Sequence, residues 1–253
     1  MSLRHYLPAL QSRFAAGVRA LCPPVACVSC GATAEGAGLC PPCREDLPFL
    51  GAACPACALP LAADAAPGVL CGVCRRRPPP QACTVATFLY EEPVVGLIQG
   101  LKFQGRLLHA RLLGELMAER LQVLMQSRAG DLPRLLVPVP LHRRRQRERG
   151  YNQALEMARP IAARLGIPLD YGSCRRVLAT ARQSDLDVKA RRANVRRAFR
   201  ARWRPGFEHL AVVDDVMTTG HTLAEVVRCL QRAGAGRVEV WVCARAPLRE
   251  GDC

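Results

Sequence analysis

The sequence predicts an α/β fold, a doubly wound and mostly parallel sheet preceded by a small cysteine-stapled domain, and three observations carry that reading. Downstream of residue 80, short apolar runs alternate with stretches of helical periodicity, the pattern of strands joined by crossover helices. Gly166 and Gly234 follow two of those helical stretches, where a helix C-terminus takes glycine. Upstream, residues 22–74 are rich in Cys, Pro, Gly and Ala and poor in large apolar side chains, so this segment cannot build a core alone and needs staples.

Taken in chain order, Leu3, Leu7, Leu10, Phe14 and Val18 recur at spacings of three and four and predict a short amphipathic helix, weakened in its first turns by Pro8. Arg75, Arg76 and Arg77 followed by Pro78, Pro79 and Pro80 read as a stiff linker, because successive prolines favour an extended polyproline conformation. The expected organisation is therefore an N-terminal helix over 1–21, a cysteine-rich domain and linker over 22–80, and an α/β domain over 81–253. In the last, strands are predicted at 84–89, 135–139, 210–213 and 238–243, and helices at 94–101, 107–125, 152–165 and 223–233. The domain is long enough for a doubly wound sheet, whose ligands sit at the carboxyl ends of the strands.

Half of the 253 residues are apolar, so a core is expected. No window offers the roughly 18 unbroken apolar residues of a membrane span. The start, from Leu3 to Leu10, lacks the basic residues, clean apolar stretch and cleavage site of an export signal, which predicts a cytoplasmic protein. Lys and Arg exceed Asp and Glu by 36 to 21, a net charge of +15. Residues 141–204 hold 18 of the cations against 5 acids, +13 of that total. A field so concentrated favours a polyanion such as pyrophosphate, a nucleotide or a nucleic-acid backbone, although the solubility of an Arg-rich chain leaves the same composition. Only two lysines, Lys102 and Lys189, stand among 34 arginines, and a flexible ammonium is not interchangeable with a planar guanidinium.

Of the fourteen cysteines, eight form four Cys-x-x-Cys pairs: Cys27 with Cys30, Cys40 with Cys43, Cys54 with Cys57, and Cys71 with Cys74. In a reducing compartment this spacing points to metal. Each pair can form a knuckle that grips half of a tetrahedral zinc shell, so eight thiolates predict two closed, structural zinc sites. The simplest pairing joins the first two and the last two; an interleaved pairing satisfies the same count. A redox dithiol, the competing reading of Cys-Pro-Pro-Cys at 40–43, needs one pair at a helix start rather than four in series. Cys22, Cys83, Cys174, Cys229, Cys243 and Cys253 lie outside the pattern and read as small hydrophobes or spare thiols.

The strongest functional signal is the apolar run 210–213 ending in Asp214 and Asp215 and entering Thr218-Thr219-Gly220-His221-Thr222 ahead of a helix. Such a turn presents successive amides at a helix N-terminus and can cradle a phosphate, and Gly220 permits close approach. Carboxylates beside a phosphate cradle would repel it unless they serve another group, and sugar hydroxyls fit that role. Alone, adjacent aspartates are also common as a helix cap or turn.

Here the sequence resembles the type I phosphoribosyltransferases, and within them the ComF/GntX family, which joins a zinc ribbon to this domain. The other residues that carry the resemblance are Leu101-Lys102-Phe103-x-Gly105, Val137-Pro138-Val139-Pro140-Leu141, Arg147-x-Arg149-Gly150-Tyr151-Asn152-Gln153, and Gln183-x-x-Leu186 followed by Arg191-x-x-Asn194. The resemblance implies a type I phosphoribosyltransferase-like fold that binds phosphoribosyl pyrophosphate with magnesium. Asp214 and Asp215 would hold the ribose hydroxyls, and Met217, Thr218, Thr219, Gly220, His221 and Thr222 the 5-phosphate. Pro138, Val139, Pro140 and Leu141 would face the pyrophosphate, with Lys102 and Arg149 nearby. Gln183, Arg191 and Asn194 would lie on a basic loop closing over the ligand, a stretch that reads equally as a solvated helix. Transferase activity is one reading. The others are a phosphoribosyl pyrophosphate sensor and a competence factor that binds single-stranded DNA, with helicase-type proteins as partners and with Tyr151, Tyr171, Phe199 and Trp203 as stacking groups. No segment announces an acceptor pocket.

Overall fold

A computed structural model describes residues 25–34, 38–126, 128, 131–178, 198–202 and 208–247. The helix expected over 1–21, the expected loop with Gln183, Arg191 and Asn194, and Trp203 lie outside the described residues. The chain divides into two compact units, residues 1–46 and 47–253.

The first unit pairs β1 (Val25–Ala26) antiparallel with β2 (Thr33–Ala34) and continues into α1 (Pro41–Glu45). Cys27 and Cys30 sit in the turn between the strands, which closes through the amide of Gly31 donating to the Cys27 carbonyl at 2.9 Å. Gly31 has φ +77°, a left-handed conformation that glycine adopts at no steric cost.

The second unit opens with another cysteine module. The amide of Ala58 donates to the Cys54 carbonyl at 2.7 Å, and the short helix α2 (Gly72–Arg76) starts with Cys71 as its cap. A four-stranded sheet follows, built from β3 (Cys83–Leu89), β4 (Leu136–Pro138), β7 (His209–Met217) and β8 (Arg237–Arg245). Its order is β3-β8-β7-β4 and every pairing is parallel, so each connection must cross over, as the alternating pattern predicts. A separate antiparallel pair joins β5 (Cys174–Arg176) to β6 (Phe199–Ala201).

Helices α3 (Val94–Gln104), α4 (Leu107–Gln126), α5 (Arg143–Arg149), α6 (Gln153–Leu165) and α7 (His221–Arg232) complete the unit. Strand side chains alternate between faces. On one face Leu210 and Val212 of β7 and Val238, Val240 and Val242 of β8 share a core with Leu223, Val226 and Leu230 of α7 and with Leu50, Cys54, Cys57, Cys71 and Cys74. The second cysteine module is thus a layer of the sheet domain's own core. Helix α4 touches β3 and β8, and α6 touches β4 and β7. These two helices pack closely through Gly114, where a Cβ would meet the Met157 carbonyl and the ring of Pro160.

All four sheet strands and the four longer helices expected from periodicity are present. β7 runs past the expected end at 213 to Met217, because its central position pairs the backbone with β8 as far as Arg245. Helix α5 escapes a periodicity reading, since Arg143–Arg149 holds no apolar residue. It forms on local terms: the His142 ring accepts from the Arg144 amide, Arg144 pairs with Glu148, and Gly150 closes the end in the left-handed conformation.

Candidate functional site

A cleft of about 600 Å³ opens at the carboxyl ends of β7 and β4. This end collects ligands in parallel sheets, because side chains there converge from several strands and the following loops are free to vary. Asp214 and Asp215 are the last polar pair of β7, and both line the cleft although adjacent strand residues face opposite ways. Lys102 of α3 meets Asp215 at 2.6 Å between Nζ and Oδ2. Burial alone would lower the Lys102 pKa, but the Asp215 carboxylate, with Asp214 behind it, outweighs that and raises it. Burial and the adjacent Asp215 push the Asp214 carboxyl up to about 8, opposed by the Asp215 amide, Lys102 and Arg176.

The strand then turns through residues 218–220 into α7, whose cap is Gly220 at φ +76°. A Cβ at Gly220 would strike the Met217 side chain. Among the described residues no backbone carbonyl accepts from the amides of Thr218, Thr219 or Gly220. Thr219 Oγ1 lies 2.8 Å from His221 Nδ1. This is an arrangement of donors at the N-terminus of a 12-residue helix, which attracts an anion.

Opposite the turn, Val139, Pro140 and Leu141 form a second wall. Its backbone is fixed by Asn152, which donates from Nδ2 to the Val139 carbonyl at 3.0 Å and accepts the Ala154 amide at the start of α6. Arg145 and Arg149, one turn apart on α5, face the cleft, while Arg143, Arg144 and Arg147 of the same helix are exposed. Tyr151 donates to the Leu101 carbonyl and so ties this wall to α3.

The cleft therefore gathers Lys102, Val139, Pro140, Leu141, Arg149, Asp214, Asp215, Met217, Thr218, Thr219, Gly220, His221 and Thr222. Pro138 is not among its lining residues: it is the buried last residue of β4. Arg176 on β5 was not anticipated, because a three-residue strand has no legible period. Its guanidinium lies over the Phe199 ring at 5.5 Å, and burial lowers its pKa, Arg145 adding to that and Asp214 opposing it. Phe199, expected to stack on bases, is 3 % exposed and occupied by that contact. Tyr171 is exposed.

None of the eight paired cysteines is among the residues that line the cleft, and they form two clusters of their own. The sulfurs of Cys27, Cys30, Cys40 and Cys43 lie within 4.8 Å of one another, as do those of Cys54, Cys57, Cys71 and Cys74. The Cys30–Cys40 and Cys57–Cys71 sulfurs are 3.6 Å and 3.7 Å apart. A tetrahedral shell with Zn–S near 2.3 Å sets its sulfurs about 3.8 Å apart, so both clusters fit zinc, with the sequential pairing.

Comparison with known proteins gives the same two parts. A double zinc ribbon domain matches residues 17–75, and a phosphoribosyl transferase domain matches residues 152–252. The chain is 36 % identical over 208 residues to DNA utilization protein YhgH of Salmonella typhimurium, covering 82 % of this chain and 90 % of that protein. Its counterpart in Escherichia coli K12 is 35 % identical with the same coverage. Competence protein F of Haemophilus influenzae is 35 % identical over 179 residues, 70 % of this chain and 78 % of that one.

Proposed function

Since the chain belongs to the ComF-type family that joins a double zinc ribbon to a phosphoribosyl transferase domain, and that includes YhgH and competence protein F, we propose that its cleft binds phosphoribosyl pyrophosphate with magnesium in the service of DNA uptake and use. The observation that carries this reading is the juxtaposition, in one cleft, of two buried acidic side chains with a helix N-terminus whose preceding amides have no backbone acceptor among the described residues. An acidic pair suits sugar hydroxyls and the amide turn suits a phosphate, and a phosphorylated ribose carries both within one small molecule.

In this reading the ribose hydroxyls donate to Asp214 and Asp215, while the 5-phosphate accepts from the turn at 218–222. The pyrophosphate lies along Val139, Pro140 and Leu141 with Arg145 and Arg149 at its oxygens. Asp215 and, on release of its proton, Asp214 would hold a hard divalent ion such as magnesium, which would supply neutralisation of pyrophosphate charge. Lys102 pairs with Asp215 before ligand arrives and turns to the pyrophosphate as the hydroxyls take its place. If an acceptor nucleophile bonds to the anomeric carbon and gives up its proton to solvent, the bond to pyrophosphate breaks with its electron pair on the leaving group, whose negative charge Arg176 in the cleft lining would stabilise. Gln183, Arg191 and Asn194, outside the described residues, are proposed to contact the bound ligand, and the protein is proposed to work in the cytoplasm.

Calorimetry with phosphoribosyl pyrophosphate and magnesium tests the site: the wild type binds, and the Asp214→Ala, Asp215→Ala double variant loses at least about a hundredfold in affinity. Equal binding by both proteins sinks the assignment. Pyrophosphate release with a panel of bases and amines marks a transferase, and binding without release marks a sensor. A second reading, single-stranded DNA binding with helicase-type partners, is favoured by exposed Arg143, Arg144 and Arg147 on one short helix. It requires an affinity that falls steeply with salt.

A further inference from the structure

Arg245, the last residue of β8, is 2 % exposed, and among the described residues no carboxylate forms an ion pair with it. A buried guanidinium is stabilised by acceptors at its N–H groups, and here carbonyls from two different parts of the second unit accept from Nε and from one terminal nitrogen. Nε donates to the Cys57 carbonyl at 2.9 Å. One terminal nitrogen donates to the Met217 carbonyl at 3.1 Å and the Thr218 carbonyl at 2.6 Å, and also to the Ala246 carbonyl. Cys57 is a ligand of the second cysteine cluster, and Met217 and Thr218 begin the turn that faces the cleft.

Peptide planarity makes these contacts consequential. In a trans peptide the carbonyl and the following N–H point in opposite directions. With the Met217 and Thr218 carbonyls drawn back onto Arg245, the amides of Thr218 and Thr219 must face away from it, on the side where these residues line the cleft. The opposite end of the guanidinium rests on the knuckle. Four thiolates around one zinc would leave a net formal charge of about −2, and that charge would supply the counter-charge that no carboxylate among the described residues provides. The knuckle is itself anchored: the Ala56 carbonyl accepts from Gln81 and Thr84, and the Pro55 carbonyl from the Thr84 amide, so it cannot drift independently of β3.

We propose that Arg245 is a positioning residue that makes the phosphate-facing turn at 217–220 depend on the metal site of Cys54, Cys57, Cys71 and Cys74. The proposal rests on the reading of that turn as a phosphate cradle, yet the coupling can be measured without any ligand. The amide resonances of Thr218, Thr219 and Gly220 in the full, ligand-free chain move in Arg245→Met and in Cys71→Ser, and stay in place in Cys30→Ser, which disables only the first cluster. With phosphoribosyl pyrophosphate and magnesium, Arg245→Met binds about tenfold or more weakly, and Arg245→Lys, which keeps the charge, recovers part of the loss. By linkage, saturating ligand raises zinc affinity at the second cluster by the same factor by which that zinc tightens ligand binding, and leaves the first cluster unchanged. Should Cys71→Ser fail to fold, Arg245→Met decides alone. Unmoved turn amides in Arg245→Met, or movement of equal size in Cys30→Ser, overturns the coupling. A wild type that binds no phosphoribosyl pyrophosphate overturns the preceding reading of the cleft and leaves the resonance test standing.

Discussion

At Asp214 the cost of the site is electrostatic. Burial and the neighbouring Asp215 push this carboxyl up to about 8, far above the roughly 3.9 of an unfolded chain. Between about pH 4 and pH 8 the folded protein therefore holds a proton that the unfolded chain releases, and Asp214 costs stability increasingly as pH rises through that window. An Asp214→Asn variant cannot ionise. Its stability relative to wild type should be near zero or slightly negative at pH 4, rise steadily with pH, and level off above about pH 8. Denaturant titrations of both proteins across this range check it, and a flat difference would show that Asp214 is not held protonated. Such unfavourable burial accords with the proposed binding role, since an Asn there would carry no ionisation cost.

Elements position these residues through close approach. β7 delivers both acids because its pairing with β8 continues past the end of β4 to Met217, and α7 begins where its backbone can turn at Gly220. On the far face, α4 and α6 approach at Gly114, and a methyl group there meets a carbonyl of the α6 backbone rather than a movable side-chain tip. Gly114→Ala should destabilise the second unit by about 1–3 kcal/mol, the usual penalty for overpacking, seen as a lower denaturant midpoint with an unchanged slope. Helix propensity alone predicts the opposite sign, since Ala stabilises an exposed helix position by up to about 1 kcal/mol over Gly. A stabilised variant would mean that the two helices are free to separate.

Across the whole molecule, the two cysteine clusters differ in what depends on them. The first belongs to the unit of residues 1–46, whereas the second lies in the core shared by α7 and the sheet. Elemental analysis should find two zincs per chain. Cys30→Ser and Cys71→Ser should each retain one, but only Cys71→Ser should lower the unfolding temperature of the second unit, by about 10 °C or more, because it removes a staple from the core itself. Equal losses in both variants, or a stoichiometry of one in the wild type, would contradict this division.

The alternating strands and helices, the cysteine pairs, and the run from Asp214 to Thr222 are legible in the chain alone, because each is written in local spacing. Zinc pairs thiols within short loops, strands and helices obey periods, and a phosphate turn is a contiguous motif. Short elements without a period stayed illegible: α5, whose residues are all polar, and the β5 strand that brings Arg176 to the cleft. The role of Arg245 was equally hidden, since its partners at Cys57 and at Met217 and Thr218 lie 188, 28 and 27 residues away. That the second cysteine module is part of the sheet's core emerges from the folded packing, because burial is shared among segments that no local pattern connects.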